Sequence, residues 1–185
     1  MSEHLRNQTI GQALEQNAAQ WPDNEALIYP GRDTRYTWSQ LNEEVDRLAR
    51  GLLALGVRRG DKVAVWATNI PQWLTTMYAT AKIGAILVTV NTHYRLAEIK
   101  YLLQQSEADY LALMDGFRGD SDLEAVYEIA PEWKGGNRES LKSAELLHLK
   151  KVIFFGDEPQ EGLYNYQEVL DMAPQTPPEE LAALK

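Results

Sequence analysis

The amino-acid sequence predicts an α/β fold: a mostly parallel sheet flanked by helices, built on a β-α-β-α-β core, with a small antiparallel N-terminal hairpin. Three observations predict it. Residues 62–67 (KVAVWA), 85–90 (AILVTV) and 110–114 (YLALM) are short and dominated by apolar side chains, without the in-out alternation of a half-exposed sheet, as expected of strands buried on both faces. Between them, residues 71–83 and 96–105 repeat apolar residues at helical spacing, which supplies the crossover that each parallel pair needs, expected right-handed. Near the start of the chain, Pro30-Gly31-Arg32-Asp33 is turn chemistry between two short candidate strands.

Taken in order, Thr9-Ile10-Gly11-Gln12 has the form of a capping box, in which the Thr hydroxyl and the Gln amide each satisfy a free backbone donor. A helix follows to about Gln20, with Ile10, Leu14 and Ala18 on its buried side, and Trp21-Pro22-Asp23 stops it. Residues 25–29 and 35–37 are the two arms of the hairpin. Thr37 and Gln40 offer a second capping box for the longest helix, where Leu41, Val45, Leu48, Leu52 and Leu55 recur every three or four residues until Gly56 closes it. In the first core helix Pro71 suits the opening turn and Gly84 the end, and Trp73, Met77 and Ala81, with Leu74 and Tyr78 beside them, form an apolar stripe expected to pack on the sheet. Later, residues 120–129 read as a helix with Leu123, Val126 and Tyr127 inward, 134–138 as a flexible surface connection, 152–155 as a strand, 166–172 as a short helix and 174–178 as a linker.

Composition narrows the classes of function. A chain of 185 residues, 44% hydrophobic and 24% charged, can bury a core of its own. Its 18 Lys and Arg against 27 Asp and Glu give a formal charge of -9, which disfavours nucleic acid and anionic membrane surfaces as partners. With no cysteine there is neither a disulfide framework nor a thiolate metal site, and His4, His93 and His148 are scattered, so a metal centre is not expected. No apolar run approaches the roughly 20 residues needed to span a bilayer, and residues 1–8 are too short and polar for a signal peptide, which makes the cytoplasm the default.

Candidate chemistry is sparse. Glu43 and Glu44 are adjacent carboxylates, but neighbours on a helix point apart, so solvated surface is the better reading. Arg58-Arg59-Gly60 could hold an anion, yet a turn here needs Gly on conformational grounds alone. Asp120 and Asp122 fit a helix start better than a metal site. The loops after the parallel strands, around Asn69, Asn91 to Tyr94 and Asp115, line the usual ligand edge of such a sheet. Asn69 reads equally as a helix cap and Tyr94 as a packed ring, so no residue is assigned as catalytic, cofactor-binding or metal-binding.

One ordered series of segments is more specific. It comprises Arg35-Tyr36-Thr37-Trp38-Ser39-Gln40-Leu41, Gly51-Leu52, Leu55-Gly56-Val57-Arg58-Arg59-Gly60-Asp61-Lys62-Val63-Ala64-Val65, Asn69-Ile70-Pro71-Gln72-Trp73 and Lys82-Ile83-Gly84-Ala85-Ile86. In order and spacing it resembles the N-terminal part of adenylate-forming acyl-CoA synthetases. The resemblance runs on through Val90-Asn91-Thr92-His93-Tyr94-Arg95, Glu98 and Leu102-Leu103, although many members have Asn-Pro where this chain has Asn91-Thr92. Asp115-Gly116-Phe117, Ile129-Ala130-Pro131-Glu132 and the strand at 151–156 complete it and resemble most the branch acting on medium-chain and longer fatty acids.

The resemblance implies an ATP-dependent fatty-acid:CoA ligase, with fatty acid, ATP and CoA as substrates and Mg as the companion of ATP. Such enzymes hold ATP phosphates on a Ser/Thr/Gly-rich loop ending in Pro-Lys-Gly and carry a catalytic lysine in a mobile C-terminal domain. Neither is in this sequence. The expectation is therefore that residues 1–185 are an N-terminal fragment of the large N-terminal domain, with 174–185 a linker toward the phosphate loop. Such a fragment would be scaffold, without bound cofactor or catalysis of its own, and apt to form a homo-oligomer through surface its parent covers. The alternative is a stand-alone, non-catalytic α/β binding module.

Overall fold

A computed structural model describes residues 8–116, 121–140 and 142–184. His4, Phe117, Asp120 and Lys185, all mentioned above, lie outside the described residues, as does most of the stretch weighed as a signal peptide. The chain opens with α1 (Ile10–Gln20), whose Thr9 and Gln12 form the expected reciprocal cap. β1 (Glu25–Tyr29) and β2 (Thr34–Thr37) pair antiparallel as the hairpin, with a bulge between Glu25 and Leu27. α2 (Trp38–Leu55) follows at once, capped by Thr37 and Gln40 and closed by Gly56 in the left-handed conformation.

The parallel sheet then alternates with helices: β3 (Lys62–Trp66), α3 (Pro71–Ile83), β4 (Ile86–Thr89), α4 (Leu96–Ser106), β5 (Tyr110–Leu113), α5 (Asp122–Ile129), β6 (Lys151–Phe154), β7 (Tyr164–Asn165) and α6 (Tyr166–Asp171). Strand order is β4-β3-β5-β6-β7 and every pairing within it is parallel. Because side chains alternate along a strand, the sheet sorts its residues onto two cores. Val63, Val65, Ala112 and Ile153 meet α2 and α3 on one face, and Ala64, Trp66, Leu111, Leu113, Val152 and Phe154 meet α4 and α5 on the other.

Five expectations need correction. Ile10, placed on the buried side of α1, is 57% exposed, and Gly11 and Leu14 are the residues that helix buries. β4 is not buried on both faces: it is the edge strand, with Ile86 50% exposed. The deepest side of α3 is not the Trp73, Met77, Ala81 stripe, whose Trp73, Leu74 and Tyr78 pack only part-buried, but Thr75, Thr76, Ala79, Thr80, Lys82 and Ile83. Threonine can be buried here because its hydroxyl returns to the helix backbone: Thr75 and Thr76 donate to the Gln72 carbonyl and Thr80 to that of Thr76. Segment 174–178 is not a free linker. A 3-10 turn at Ala173–Gln175 and a short α7 (Pro178–Ala182) lie on α2, with Ala173, Thr176 and Leu181 buried and the Thr176 carbonyl accepting from Arg50. The connection at 134–138 is likewise tied down at its far end, where Arg138 donates to Glu168 and lies over the Tyr164 ring.

Candidate functional site

In an open parallel sheet the ligand edge lies beyond the carboxyl ends of the strands, at the point where successive connections leave in opposite directions. Here that point is between β3 and β5, since the chain passes from β3 outward to β4 and then back across to β5. The crevice itself is closed. Thr68 directs both its backbone N–H (3.2 Å) and its hydroxyl (3.1 Å) at the Met114 sulfur, and the Met114 N–H donates to the Trp66 carbonyl. Asn69 stands exposed beside it and is not the cap of α3, which begins after Ile70 without a side-chain cap.

Displaced from the crevice toward β4 and α5 is an open cleft of about 690 Å³. One wall is the loop entering α4, with Thr92, His93, Tyr94 and Arg95; the other is the first two turns of α5, from Ser121 to Glu128. Both walls are held by local hydrogen bonds. Asn91 accepts from the His93 N–H, and Glu98 accepts from the Arg95 N–H. Asp115 accepts from the Ser121 hydroxyl and the Leu123 N–H, while Ser121 in turn caps α5 by accepting from the Glu124 N–H. Asp115 is thus spent on closing the loop before α5. Asp122 sits in the first turn of α5, consistent with the helix-start reading.

Trp66, the last residue of β3, also lines the cleft. It is 1% exposed, and its indole N–H is buried without an acceptor. An orphaned buried donor costs about 1–3 kcal/mol. Trp133, in the same core cluster as Trp66, has the same orphaned N–H and does not border the cleft. Tyr94 is half-buried against that core, as a packed ring should be, and at the same time borders the cleft. Sequence reasoning reached the loops but not Trp66, whose signal is a tryptophan ending a buried strand at the ligand edge.

The other weighed groups have structural duties. Arg58 donates to the Leu53 and Val57 carbonyls and so caps the end of α2. Glu43 is exposed and accepts from Ser39. Glu44 is half-buried, and that burial raises its carboxyl above the usual carboxylate range, with Arg47 pulling the other way. Among the described residues no group of three or more His, Asp or Glu could hold a metal ion, and no helix is long and apolar enough to cross a membrane.

Comparison with known proteins fits this geometry. The Bacillus subtilis protein YngI, provisionally named an acyl-CoA synthetase, is 43% identical over 164 residues, which cover 89% of this chain and 30% of YngI. The human mitochondrial medium-chain acyl-CoA ligase ACSF2 is 36% identical over 167 residues, covering 90% of this chain and 27% of ACSF2. The crystal structure of the anthranilate CoA ligase AuaEII in complex with anthranoyl-AMP superimposes with a TM-score of 0.73 at 26% identity, over 92% of this chain and 28% of that one. The chain therefore spans less than a third of the length of each. The AMP-binding enzyme family matches residues 14–184, a span that holds the whole parallel sheet and both walls of the cleft, and the chain belongs to that family.

Proposed function

We propose that this chain is the N-terminal part of an ATP-dependent fatty-acid:CoA ligase, in which a carboxylate attacks the α-phosphorus of ATP to give acyl-adenylate and pyrophosphate, and the CoA thiol then displaces AMP. The observation that supports it is the family match across residues 14–184 together with relatives named for acyl-CoA formation. Within that enzyme the chain is mainly scaffold. ATP phosphates, with their Mg, would be held by a glycine-rich loop that this sequence does not contain, toward which segment 174–185 leads. Fatty acid of medium or greater length is the proposed acid, and the cytoplasm the proposed compartment. The fold of this region does not decide the acid, since an anthranilate ligase shares it.

The cleft beside Trp66 is given no substrate: Asp122, Glu124 and Glu128 line it, which disfavours the phosphates of ATP and of CoA alike, and its mixed lining is unlike the continuous apolar wall an acyl chain requires. Turnover on acetate, octanoate, palmitate and anthranilate tests the acid, and best activity on acetate or anthranilate would reject the fatty-acid reading.

A further inference from the structure

At the amino ends of β5 and β6, the opposite end of the sheet from its ligand edge, lies another cleft, of about 490 Å³. Its charges are arranged differently from those of the cleft beside Trp66. Three lysines line it, Lys142, Lys150 and Lys151, against two carboxylates, Asp109 and Glu139. Lys150 pairs with Asp109 (2.9 Å) and also approaches Asp61 (3.6 Å), and Lys151 pairs with Glu139 (3.1 Å). Both lining carboxylates are thus neutralised, and Lys142 is left over.

Lys142 stands apart from the other lysines. Lys62, Lys82, Lys100, Lys134, Lys150 and Lys151 each lie in an ion pair. Lys142 is exposed and has no ion pair or hydrogen bond among the described residues. The difference is chemical. A carboxylate beside an ammonium holds the proton on nitrogen, as Asp109 does in raising Lys150 above the ordinary lysine value, and a protonated amine has no lone pair with which to attack. Next to Lys142 the cleft wall is firm. Ser143 is buried and accepts from the N–H groups of Glu145 and Leu146, and the Leu149 N–H donates to the Leu146 carbonyl. Leu146 and Leu149 are buried, so the turn between them holds Leu147 out in the cleft at 82% exposure, more than any other large apolar side chain described.

We propose that Lys142 is a site of N-acylation by acyl-CoA of medium or greater chain length, with Leu147 seating the acyl chain. This rests on the reading that the longer enzyme forms acyl-CoA, which keeps that thioester at hand. The paired carboxylates of the cleft do not repel the phosphates of CoA, and the exposed leucine gives the chain an apolar surface to cover. In the step itself the Lys142 ammonium first releases a proton to solvent, and the Nζ lone pair attacks the thioester carbonyl carbon. The C–N bond forms and the C–S bond breaks. A second proton leaves the nitrogen and ends on the CoA thiolate, so the products are an amide and a free thiol, and nothing is oxidised or reduced. The positive charge of Lys142 is lost with the step.

The test incubates the full-length enzyme with octanoyl-CoA, without ATP, and follows each lysine over time by peptide mass spectrometry. Lys142 is expected to be octanoylated at least about fivefold faster than any of the paired lysines. A rate at Lys142 no higher than theirs would overturn the proposal. Exposure alone would favour Lys142 with any thioester, so acetyl-CoA and the surface variant Leu147→Ser separate the two accounts, and the lead of Lys142 is expected to shrink with each. A lead that either change leaves intact would mean an exposed amine without a seat for the chain and would overturn the proposal equally. Octanoyl-CoA formation from octanoate, ATP and CoA is assayed on the same sample. Its absence, with Lys142 still labelled by added octanoyl-CoA, would sink the proposed reaction and leave the acylation site standing.

Discussion

Lys82 is buried completely, yet it is a lysine near the end of a helix that pattern alone would turn outward. Its ammonium donates to Asp46 (2.5 Å) and Asn42 (2.7 Å) of α2 and lies 3.0 Å from Glu15 of α1, so one charge joins three helices. Gly11 allows that junction, because a Cβ there would stand 2.9 Å from the Lys82 side chain. Ion pairing between distant segments has no periodic signature, which is why Asp46 reads from sequence as part of a solvated face. Two glutamates show how burial and partners set opposite pH dependences. Burial raises Glu44, so its ionised form is penalised in the folded state alone; Glu44→Gln should raise the melting temperature at pH 7, with the gain fading as pH falls through and below the carboxylate range. Glu139 is lowered by hydrogen bonds from Tyr164 and Lys151, so it stabilises the fold above the ordinary carboxylate pKa and loses that effect as pH falls through its depressed value. Glu139→Gln should therefore lower the melting temperature at pH 7 and have little effect near pH 2. Thermal unfolding of both variants between pH 2 and pH 7 checks the two signs.

At the scale of elements, α2 is the helix on which both ends of the chain converge. Its limits were legible because capping residues and Gly56 act locally, and β3, β5 and β6 were legible because full burial removes alternation. Burial inside α3 was not, since a threonine whose hydroxyl bonds its own helix counts as polar in a pattern and behaves as apolar in the core. The docked 174–182 segment was missed for a related reason: its proline content reads as a linker, whereas the short turns it forms carry Ala173 and Leu181 into the core. Trp66 was legible as a strand residue and not as part of a cleft, because the opposite wall comes from α5, more than fifty positions later. Gly51 gives the sharpest test at this scale. A Cβ there would lie 1.9 Å from the Val169 carbonyl oxygen, a backbone atom that cannot move aside without α6. Intrinsic helix preference favours alanine over glycine by about 1 kcal/mol, so a gain in stability from Gly51→Ala would mean that α2 and α6 do not meet this closely. A loss of about 1–3 kcal/mol in urea unfolding is expected instead.

For the whole molecule, the balance is between a formal charge of -9 and apolar surface left open. Repulsion between copies is screened over about 8 Å at physiological salt, while burial contributes about 25 cal/mol per Å² of apolar area. Ile86 on the β4 edge is exposed, as are Ile10, Trp21 and Ile28. The 185-residue chain taken alone should therefore self-associate with rising concentration in sedimentation velocity at 0.15 M salt. A strictly monomeric chain that binds no hydrophobic dye would favour the self-contained module over the fragment of a larger enzyme. The docking of the last segment on α2 also sets a clock on synthesis. Arg50 and the Thr176 carbonyl it grips are separated by 126 positions. At about 5–20 residues per second, a ribosome delivers the second roughly 6 to 25 s after the first. Throughout that interval the side of α2 that takes α6 and the Ala173–Gln175 turn has emerged and its cover has not. The nascent chain must keep that face from its neighbours on the polysome, and slow codons between the two positions would lengthen the wait.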